Sequence, residues 1–276
     1  MQASGRDKVN CLQINLKHSR AATSNLGQLI SQHNVDITYI QEPYTINNKL
    51  VGLPRAYKVY TSGCGRKRTA IVTNNDRLDA TLITQLSEDC VTVEMRSGAD
   101  KFLSIGMYFD IQRDIEEDIR QLEKVRDYVK GNGLIIVVDS NARSKMWHDS
   151  VTNQRGKILK EYLLFNDLYV MNEATDTPTF QSIRERSYID LTITNNRLIR
   201  NLTEWKCVEE ESCSDHNIVN FKIASVSNVQ DTMTFTGVRY VTKQEDYKKF
   251  DTNLAENFIF TFTCTITTDF KNLDEE

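Results

Sequence analysis

Ten runs of apolar residues recur along the chain, each five to nine residues long and bounded by polar or turn-forming positions. Their content of β-branched and aromatic side chains is typical of strands. The runs cover residues 9–16, 35–41, 69–73, 79–86, 90–95, 101–109, 134–138, 188–194, 202–208 and 217–223. This pattern predicts a protein built mainly from β-strands.

Three other segments place apolar residues three or four positions apart, as one face of a helix does. They lie at residues 22–30, 115–129 and 158–163. We expect these apolar faces to pack on the core. Many strands with few helices between them predict an α+β fold of four layers, in which helices flank two packed mixed β-sheets.

The strand pattern extends over residues 9–224, which we interpret as one domain after a short leader at residues 1–8. Residues 225–276 have a weaker pattern, with one amphipathic stretch at residues 245–258, and we interpret them as a C-terminal extension. The chain has no apolar run of membrane-spanning length, and its first residues lack the apolar stretch of a secretory signal. We therefore expect no membrane partner.

The amino-acid composition excludes few classes of protein or of binding partner. The six cysteines show no CxxC pair, so without a secretory signal we expect reduced thiols rather than a disulfide framework. The formal net charge is −4, but residues 1–224 hold equal numbers of acidic and basic side chains. A neutral body can bind DNA when its cations cluster on one face, so the charge neither supports nor excludes a nucleic-acid partner.

Several predicted strands end in polar side chains. The stretch "LIIVVDSNARS" runs from five apolar residues directly into Asp139 and Asn141, which share one face of an extended segment. The other positions of this kind are Asn15, Glu42, Tyr108, Asp190, Asp215 and His216. A lone asparagine is explained as a turn residue and a lone tyrosine as a core aromatic, whereas a carboxylate among apolar neighbours, such as Asp190, requires a partner.

Polar side chains at the ends of several strands can meet at one edge of a two-sheet core. Carboxylate and amide oxygens gathered there suit a hard divalent cation, and His216 could act beside a carboxylate. Phosphodiester cleavage requires a charge-neutralising metal, an activated water and a group that stabilises the leaving oxygen. The set of positions therefore indicates a metal-dependent phosphoesterase.

The ordered series "QIN", "QEP", "MY", "DSNA", "YIDLTI" and "SDH" resembles the endonuclease/exonuclease/phosphatase family, which has the DNase I-like fold of the AP endonucleases. The resemblance spans residues 9–224. The stretches "DSNARSKMWH", "NQRGKILKEYL", "PTF" and "RERSYIDLTIT" are similar to endonuclease domains of insect-type non-long-terminal-repeat (non-LTR) retrotransposons. Many family members carry Gly before the aspartate and an aromatic residue after it, where this chain has Val138 and Ser140.

The resemblance implies a Mg²⁺-dependent DNA endonuclease, with Mn²⁺ as a possible substitute for Mg²⁺. Such an enzyme nicks double-stranded DNA and leaves a 3′-hydroxyl that primes reverse transcription at the target. Glu42 would be the principal metal ligand, with Asn15 and Asp215 nearby. The tail "VRYVTKQEDYKKF" resembles the linker that leads toward a reverse transcriptase domain in a longer polyprotein.

The same resemblance implies roles for the catalytic residues. Asp139 would orient or deprotonate the attacking water, and Asn141 would hold the scissile phosphate. Tyr108 would donate to the phosphate or stabilise the leaving group. Asp190 would hold the ring of His216, and His216 would contact a phosphate oxygen.

Cationic loops beside these motifs are candidates for DNA contacts. The candidates are Arg66, Lys67 and Arg68 in "GCGRKRT", then Arg143, Lys145, Trp147 and His148 after the Asp–Asn pair, and Arg184 and Arg186 before "SYID". A solvated turn explains the first loop as well as a phosphate contact does. In the functional interpretation these loops bind the DNA backbone or a groove.

The sequence leaves other functions open. They are an abasic-site repair endonuclease of the same fold, a phosphatase or sphingomyelinase-like phosphoesterase, and an inactive nucleic-acid-binding remnant. A zinc site at Cys207, Cys213 and His216 matches no common zinc motif and lacks a fourth ligand. A retrotransposon endonuclease would be synthesised in the cytoplasm and would act on chromosomal DNA in the nucleus.

Overall fold

The computed structural model describes residues 8–63, 65–87, 90–97, 100–129 and 131–224. All of them belong to one unit, Met1–Val229. The predicted extension at residues 225–276 lies outside the described residues, as does the predicted leader apart from Lys8, so both stay predictions. Across the described ranges, no helix combines the length and the apolar character needed to cross a membrane.

The strands and helices follow the order that the apolar pattern predicts. The strands are β1 (Lys8–Asn15), β2 (Ile37–Gln41), β3 (Thr45–Ile46), β4 (Lys49–Leu50), β5 (Lys58–Thr61), β6 (Thr69–Thr73), β7 (Asp79–Leu82), β8 (Val91–Ser97), β9 (Asp100–Tyr108), β10 (Gly133–Asp139), β11 (Leu168–Val170), β12 (Phe180–Gln181), β13 (Arg186–Ser187), β14 (Asp190–Asn195), β15 (Leu202–Val208) and β16 (Ile218–Ala224). The helices are α1 (Arg20–Gln32), α2 (Ile115–Val129) and α3 (Gln154–Phe165). Short 3₁₀ turns cover Thr84–Leu86 and Lys145–Trp147.

Two six-stranded sheets form the centre of the described fold. The first has the order β15–β16–β1–β2–β6–β5, and the second has the order β11–β14–β10–β9–β8–β7. Both are mixed, because β1 and β2 pair in parallel in the first sheet and β9 and β10 pair in parallel in the second, while their other neighbours are antiparallel. The α+β class and the two mixed sheets are therefore confirmed.

The core lies in three layers of apolar contact, which explains the unbroken apolar run in β10. Ile135 and Val137 pack between the two sheets, whereas Ile136 and Val138 point to the other face of their sheet, toward α2 and α3. A third cluster joins α1 to the outer face of the first sheet. A strand with both faces covered has no solvent side, so its residues are apolar at successive positions.

The carboxyl ends of four strands and the start of a fifth meet at one edge of this sandwich. Asn15 ends β1 opposite Gln41, the last residue of β2, and Glu42 follows directly. Asp139 ends β10 and pairs in register with Tyr108 on one side and with Asp190 on the other. Parallel pairing brings the carboxyl ends of neighbouring strands together, so the polar residues of both sheets converge here.

Candidate active site

Asn15 connects the two sheets at this edge. Its side-chain Nδ2 donates to Asp139 Oδ2 at 2.8 Å and to Glu42 Oε2 at 3.3 Å. Asn15 and Asp139 are buried, and Glu42 is partly exposed. Two carboxylates that are far apart in the sequence are thus held by a single amide.

His216 lies between two carboxylates. Its Nδ1 is 2.9 Å from Asp190 Oδ2, a hydrogen-bond distance, and its Nε2 is 3.9 Å from Asp139 Oδ2, which is too long for a hydrogen bond. The edge of the ring packs against Phe180, with centroids 5.0 Å apart. The ring is therefore fixed, and Nε2 is directed toward the oxygen of Asp139 across a gap.

The electrostatics of this buried group favour a protonated histidine. Burial lowers the pKa of His216, but Asp190, Asp139 and Glu42 together outweigh that effect and raise it to about 9. Burial and the nearby Asp190 charge raise the pKa of the Asp139 carboxyl. Each carboxylate thus favours the imidazolium, and the imidazolium offsets part of the cost of burying them.

Two polar side chains hold the backbone at Asp190 in place. Thr179 Oγ1 accepts from the amides of Ile189 and Asp190, both at 3.0 Å, and Asn172 Nδ2 donates to Asp190 O at 2.8 Å. Among the described residues, Asp190 Oδ1 has no hydrogen-bond partner. A buried carboxylate with one unpaired oxygen depends strongly on its remaining contact, which is His216.

Tyr108 and Asn141 lie beside Asp139, since Tyr108 pairs with it in register and the Asn141 amide donates to its Oδ1 at 3.2 Å. Burial, followed by the charges of Glu42, Asp139 and Asp110, raises the Tyr108 pKa, so its hydroxyl stays protonated, and it donates to the Glu42 side chain. Asn141 has a positive φ of 46° and donates from Nδ2 to Phe109 O at 2.9 Å. A left-handed backbone is uncommon for residues other than glycine and is enriched at functional sites.

The three predicted metal ligands are placed differently from one another. Glu42 lines an open cavity of about 160 Å³. Asn15 uses its Oδ1 to accept from the Lys17 amide at 2.7 Å, and the Asp215 carboxylate is paired with the Lys17 ammonium. Of the three, Glu42 therefore fits a hard divalent ion best, while the Asn15 amide positions Glu42.

A second group in the described residues could also hold a metal. Ligand atoms of Asp139, Asp190 and His216 all lie within 4.8 Å of one another. However, His216 Nδ1 already contacts Asp190, and all three side chains are buried. We interpret this group as a hydrogen-bonded Asp190–His216 pair that faces Asp139, and Glu42 as the better candidate for a metal ligand.

The DNA-contact candidates fall into three groups. The exposed ones are Arg66, Lys145, His148, Arg184 and Arg186. Lys67 donates to the Ser62 and Gly63 carbonyls, and Arg68 pairs with Asp110 at 2.8 Å. Trp147 is fully buried in the core, and its Nε1 donates to Ala142 O, so it supports the loop from inside and does not contact DNA in this conformation.

Arg143 stabilises the loop that follows the Asp–Asn pair. Its Nε donates to Asp149 Oδ1 at 2.9 Å, and its Nη1 donates to Glu185 at 2.7 Å. Asp149 is buried and also accepts from the amides of Val151 and Tyr188. Arg143 thus joins the loop after β10 to the hairpin of β12 and β13, and its guanidinium is not free for DNA.

We predict that Arg143→Ala lowers the free energy of unfolding by about 2 kcal/mol, because it leaves the buried Asp149 carboxylate without its cation. Lys145→Ala, an exposed position in the same loop, is the matched control and should change stability by less than about 0.5 kcal/mol. Urea unfolding of both variants measures the difference. Equal stability of the two would show that Arg143 is not structural.

The sequence did not point to Lys17, His18 or Asp149. Lys17 and His18 follow β1 with positive φ values of 48° and 53°. His18 Nε2 lies 3.4 Å from Glu42 Oε1, and the His18 amide donates to Glu42 O at 2.8 Å. The strand "LQIN" led to the site, but the residues after it have no apolar pattern that would mark them.

A family model described as "Endonuclease-reverse transcriptase" matches residues 102–220. A putative 115 kDa protein in the type-1 retrotransposable element R1DM of Drosophila melanogaster is 25% identical over 264 residues, which cover 90% of this chain and 26% of that protein. A Pol polyprotein from the type-1 element R1 of Bradysia coprophila is 24% identical, covering 74% of this chain and 22% of the relative. The chain thus spans about a quarter of the length of these relatives.

Two solved structures are similar to this chain in fold. The endonuclease domain of TRAS1, a telomere-specific non-LTR retrotransposon, has a TM-score of 0.72 and 27% identity, and the match covers 79% of this chain and 98% of that one. The AP endonuclease LMAP from Leishmania major has a TM-score of 0.62 at 12% identity, covering 79% and 88% of the two chains. The second likeness concerns the fold alone.

Proposed function

We propose that the chain is a Mg²⁺-dependent endonuclease of the endonuclease/exonuclease/phosphatase family and that it nicks double-stranded DNA. In this proposal the nick leaves a 3′-hydroxyl, which primes reverse transcription of a non-LTR retrotransposon at its target. The observation that carries it is the opposition of Asp139 and His216 across 3.9 Å, beside Glu42. The likeness to a retrotransposon Pol polyprotein supports a longer polyprotein, and we propose that it carries a reverse transcriptase domain and that the enzyme acts in the nucleus.

In this proposal each side chain has a distinct role. Asp139 accepts a hydrogen bond from the attacking water and, as a carboxylate with a raised pKa, can take its proton. His216 Nε2–H donates to a phosphate oxygen, where negative charge develops, and Asp190 keeps the imidazolium oriented. In the proposal Tyr108 and Asn141 position the phosphate.

A divalent ion at Glu42 would neutralise charge on the phosphate and on the leaving oxygen. The donor set fits such an ion, because Glu42 offers a carboxylate that is partly exposed and held by Asn15. The Asp215 carboxylate forms an ion pair with Lys17 and so neutralises that cation beside the site.

The proposal is tested with the full chain and a supercoiled plasmid, with Mg²⁺ and with EDTA. We expect open-circular product only with metal, and DNA polymerase should extend the nicked ends directly because they carry 3′-hydroxyls. An abasic duplex and a small phosphate ester are run in parallel. Cleavage confined to the abasic duplex would identify a repair enzyme, turnover of the ester alone would identify a phosphatase, and DNA binding without cleavage would identify an inactive binding protein.

A further inference from the structure

The two ring nitrogens of His18 have different partners. Its Nδ1 lies 3.0 Å from the Pro43 carbonyl oxygen, which can only accept, so Nδ1 carries the proton. In the neutral ring Nε2 is then the lone-pair nitrogen. A ring N–H bonded to a backbone carbonyl is the arrangement that orients metal-binding histidines.

The second ring nitrogen, Nε2, faces the carboxylate assigned to the metal. His18 Nε2 and Glu42 Oε1 are 3.4 Å apart. Two ligands at about 2.1 Å from one ion lie about 3.0–3.4 Å from each other at octahedral or tetrahedral angles. The two atoms are therefore spaced as neighbouring ligands of a single ion.

The backbone holds this pair in an uncommon conformation. His18 has φ 53° and Glu42 has φ 44°, and the His18 amide donates to the Glu42 carbonyl at 2.8 Å. The left-handed region is uncommon for residues other than glycine, and occupying it costs conformational free energy. Such strain persists where it places side chains for a function, and here it brings the imidazole and the carboxylate together.

The cavity beside the pair has room for an ion with its water. Its volume is about 160 Å³, and Arg66, Arg68, Tyr108, Asp110 and Gln112 line it together with the pair. Arg68 is paired with Asp110 at 2.8 Å, so its charge is already balanced. In the structure the Arg66 guanidinium donates to His18 Nε2, so this lone pair already receives a cationic donor. Arg66 is exposed, and its long side chain can turn into solvent when an ion enters.

We propose that His18 Nε2 and Glu42 form a mixed nitrogen–oxygen metal site, which makes this enzyme prefer Mn²⁺, or a softer divalent ion, over Mg²⁺. Imidazole is a ligand for transition metals, whereas Mg²⁺ favours oxygen. The inference rests on the proposed function in taking Glu42 as a metal ligand. It adds a residue and an ion preference to that site.

The test uses the full chain with MnCl₂ and no DNA. Pulsed electron paramagnetic resonance detects coupling between Mn²⁺ and a bound imidazole nitrogen, and calorimetry measures Mn²⁺ and Mg²⁺ affinities. His18→Asn removes the nitrogen at a position where asparagine tolerates a positive φ. His33→Asn is the matched control, because His33 Nε2 also contacts a glutamate, Glu210, at 2.8 Å, but away from the site.

We expect nitrogen coupling in the parent and in His33→Asn, and its loss in His18→Asn. The Mn²⁺ affinity of His18→Asn should fall about 10-fold or more, and its Mg²⁺ affinity should fall less. Absence of nitrogen coupling in the parent, or an unchanged ratio of Mn²⁺ to Mg²⁺ affinity in His18→Asn, would overturn the inference. A chain that shows the coupling but does not nick DNA would refute the proposed function alone, and one that nicks without the coupling would refute this inference alone.

Discussion

Asp139→Asn is expected to lower the rate of plasmid nicking by about 10²–10⁴-fold, the usual effect of removing a general base. Asparagine has nearly the same shape and can still accept from Asn15, but it cannot take a proton from water. Because Asp139 is buried and its carboxyl pKa is raised, the charged form is costly to bury. The variant should therefore unfold at the same temperature as the parent or at a higher one.

The control for this substitution is Asp79→Asn, at an exposed aspartate that begins the edge strand β7. It makes the same chemical change away from the site and should nick at the parent rate. Rates are compared at saturating metal and DNA, with thermal unfolding measured on the same samples. If Asp139→Asn nicks as fast as Asp79→Asn, Asp139 is not the base.

The sequence predicts most of the central fold because burial leaves a local signal. The run at residues 134–138 is apolar at every position, since the strand β10 is covered on both faces. The three segments with helical spacing form α1, α2 and α3. The strands that the pattern missed are short and partly exposed: β3, β4, β5, β11, β12 and β13. Lys58–Thr61 has no buried residue, so no apolar run marks it.

The run at residues 79–86 shows a different limit. It divides into the strand Asp79–Leu82 and the 3₁₀ turn Thr84–Leu86, although its apolar residues continue through both. Burial of Leu86 depends on tertiary packing, and apolar spacing over so few residues does not distinguish a strand from a turn.

At the site, the sequence could predict the polar residues at strand ends, but it could not predict which residues far apart in the sequence pair with one another. Asp139 and Asn141 follow an obvious strand, and register then places Asp139 opposite Asp190. By contrast, the pairing of Lys17 with Asp215 joins residues 198 positions apart in the sequence. The burial of Trp147 could not be predicted either. An aromatic residue in a cationic loop has no local signal that distinguishes a DNA contact from a side chain packed in the core.

Asp190→Asn is expected to shift the whole pH profile of nicking to lower pH and to slow nicking about 10²-fold or more near neutral pH. In the proposed mechanism His216 acts as the imidazolium, so activity is present below its pKa of about 9 and is lost as the pH rises through it. Removing the Asp190 charge removes the main effect that raises this pKa, and burial then lowers it. The same charge raises the Asp139 pKa, so the acid limb, where Asp139 must lose its proton, also moves to lower pH.

Two measurements check this shift. Nicking rates of the parent and Asp190→Asn are recorded from mildly acidic to alkaline pH, and NMR titration follows the His216 ring in both chains without metal or DNA. The rate ratio of parent to variant should grow from neutral toward alkaline pH, and the ring should titrate at lower pH in the variant. Parallel rate profiles with an unchanged His216 titration would mean that Asp190 does not act through the histidine, and the 2.9 Å contact between them would then be only structural.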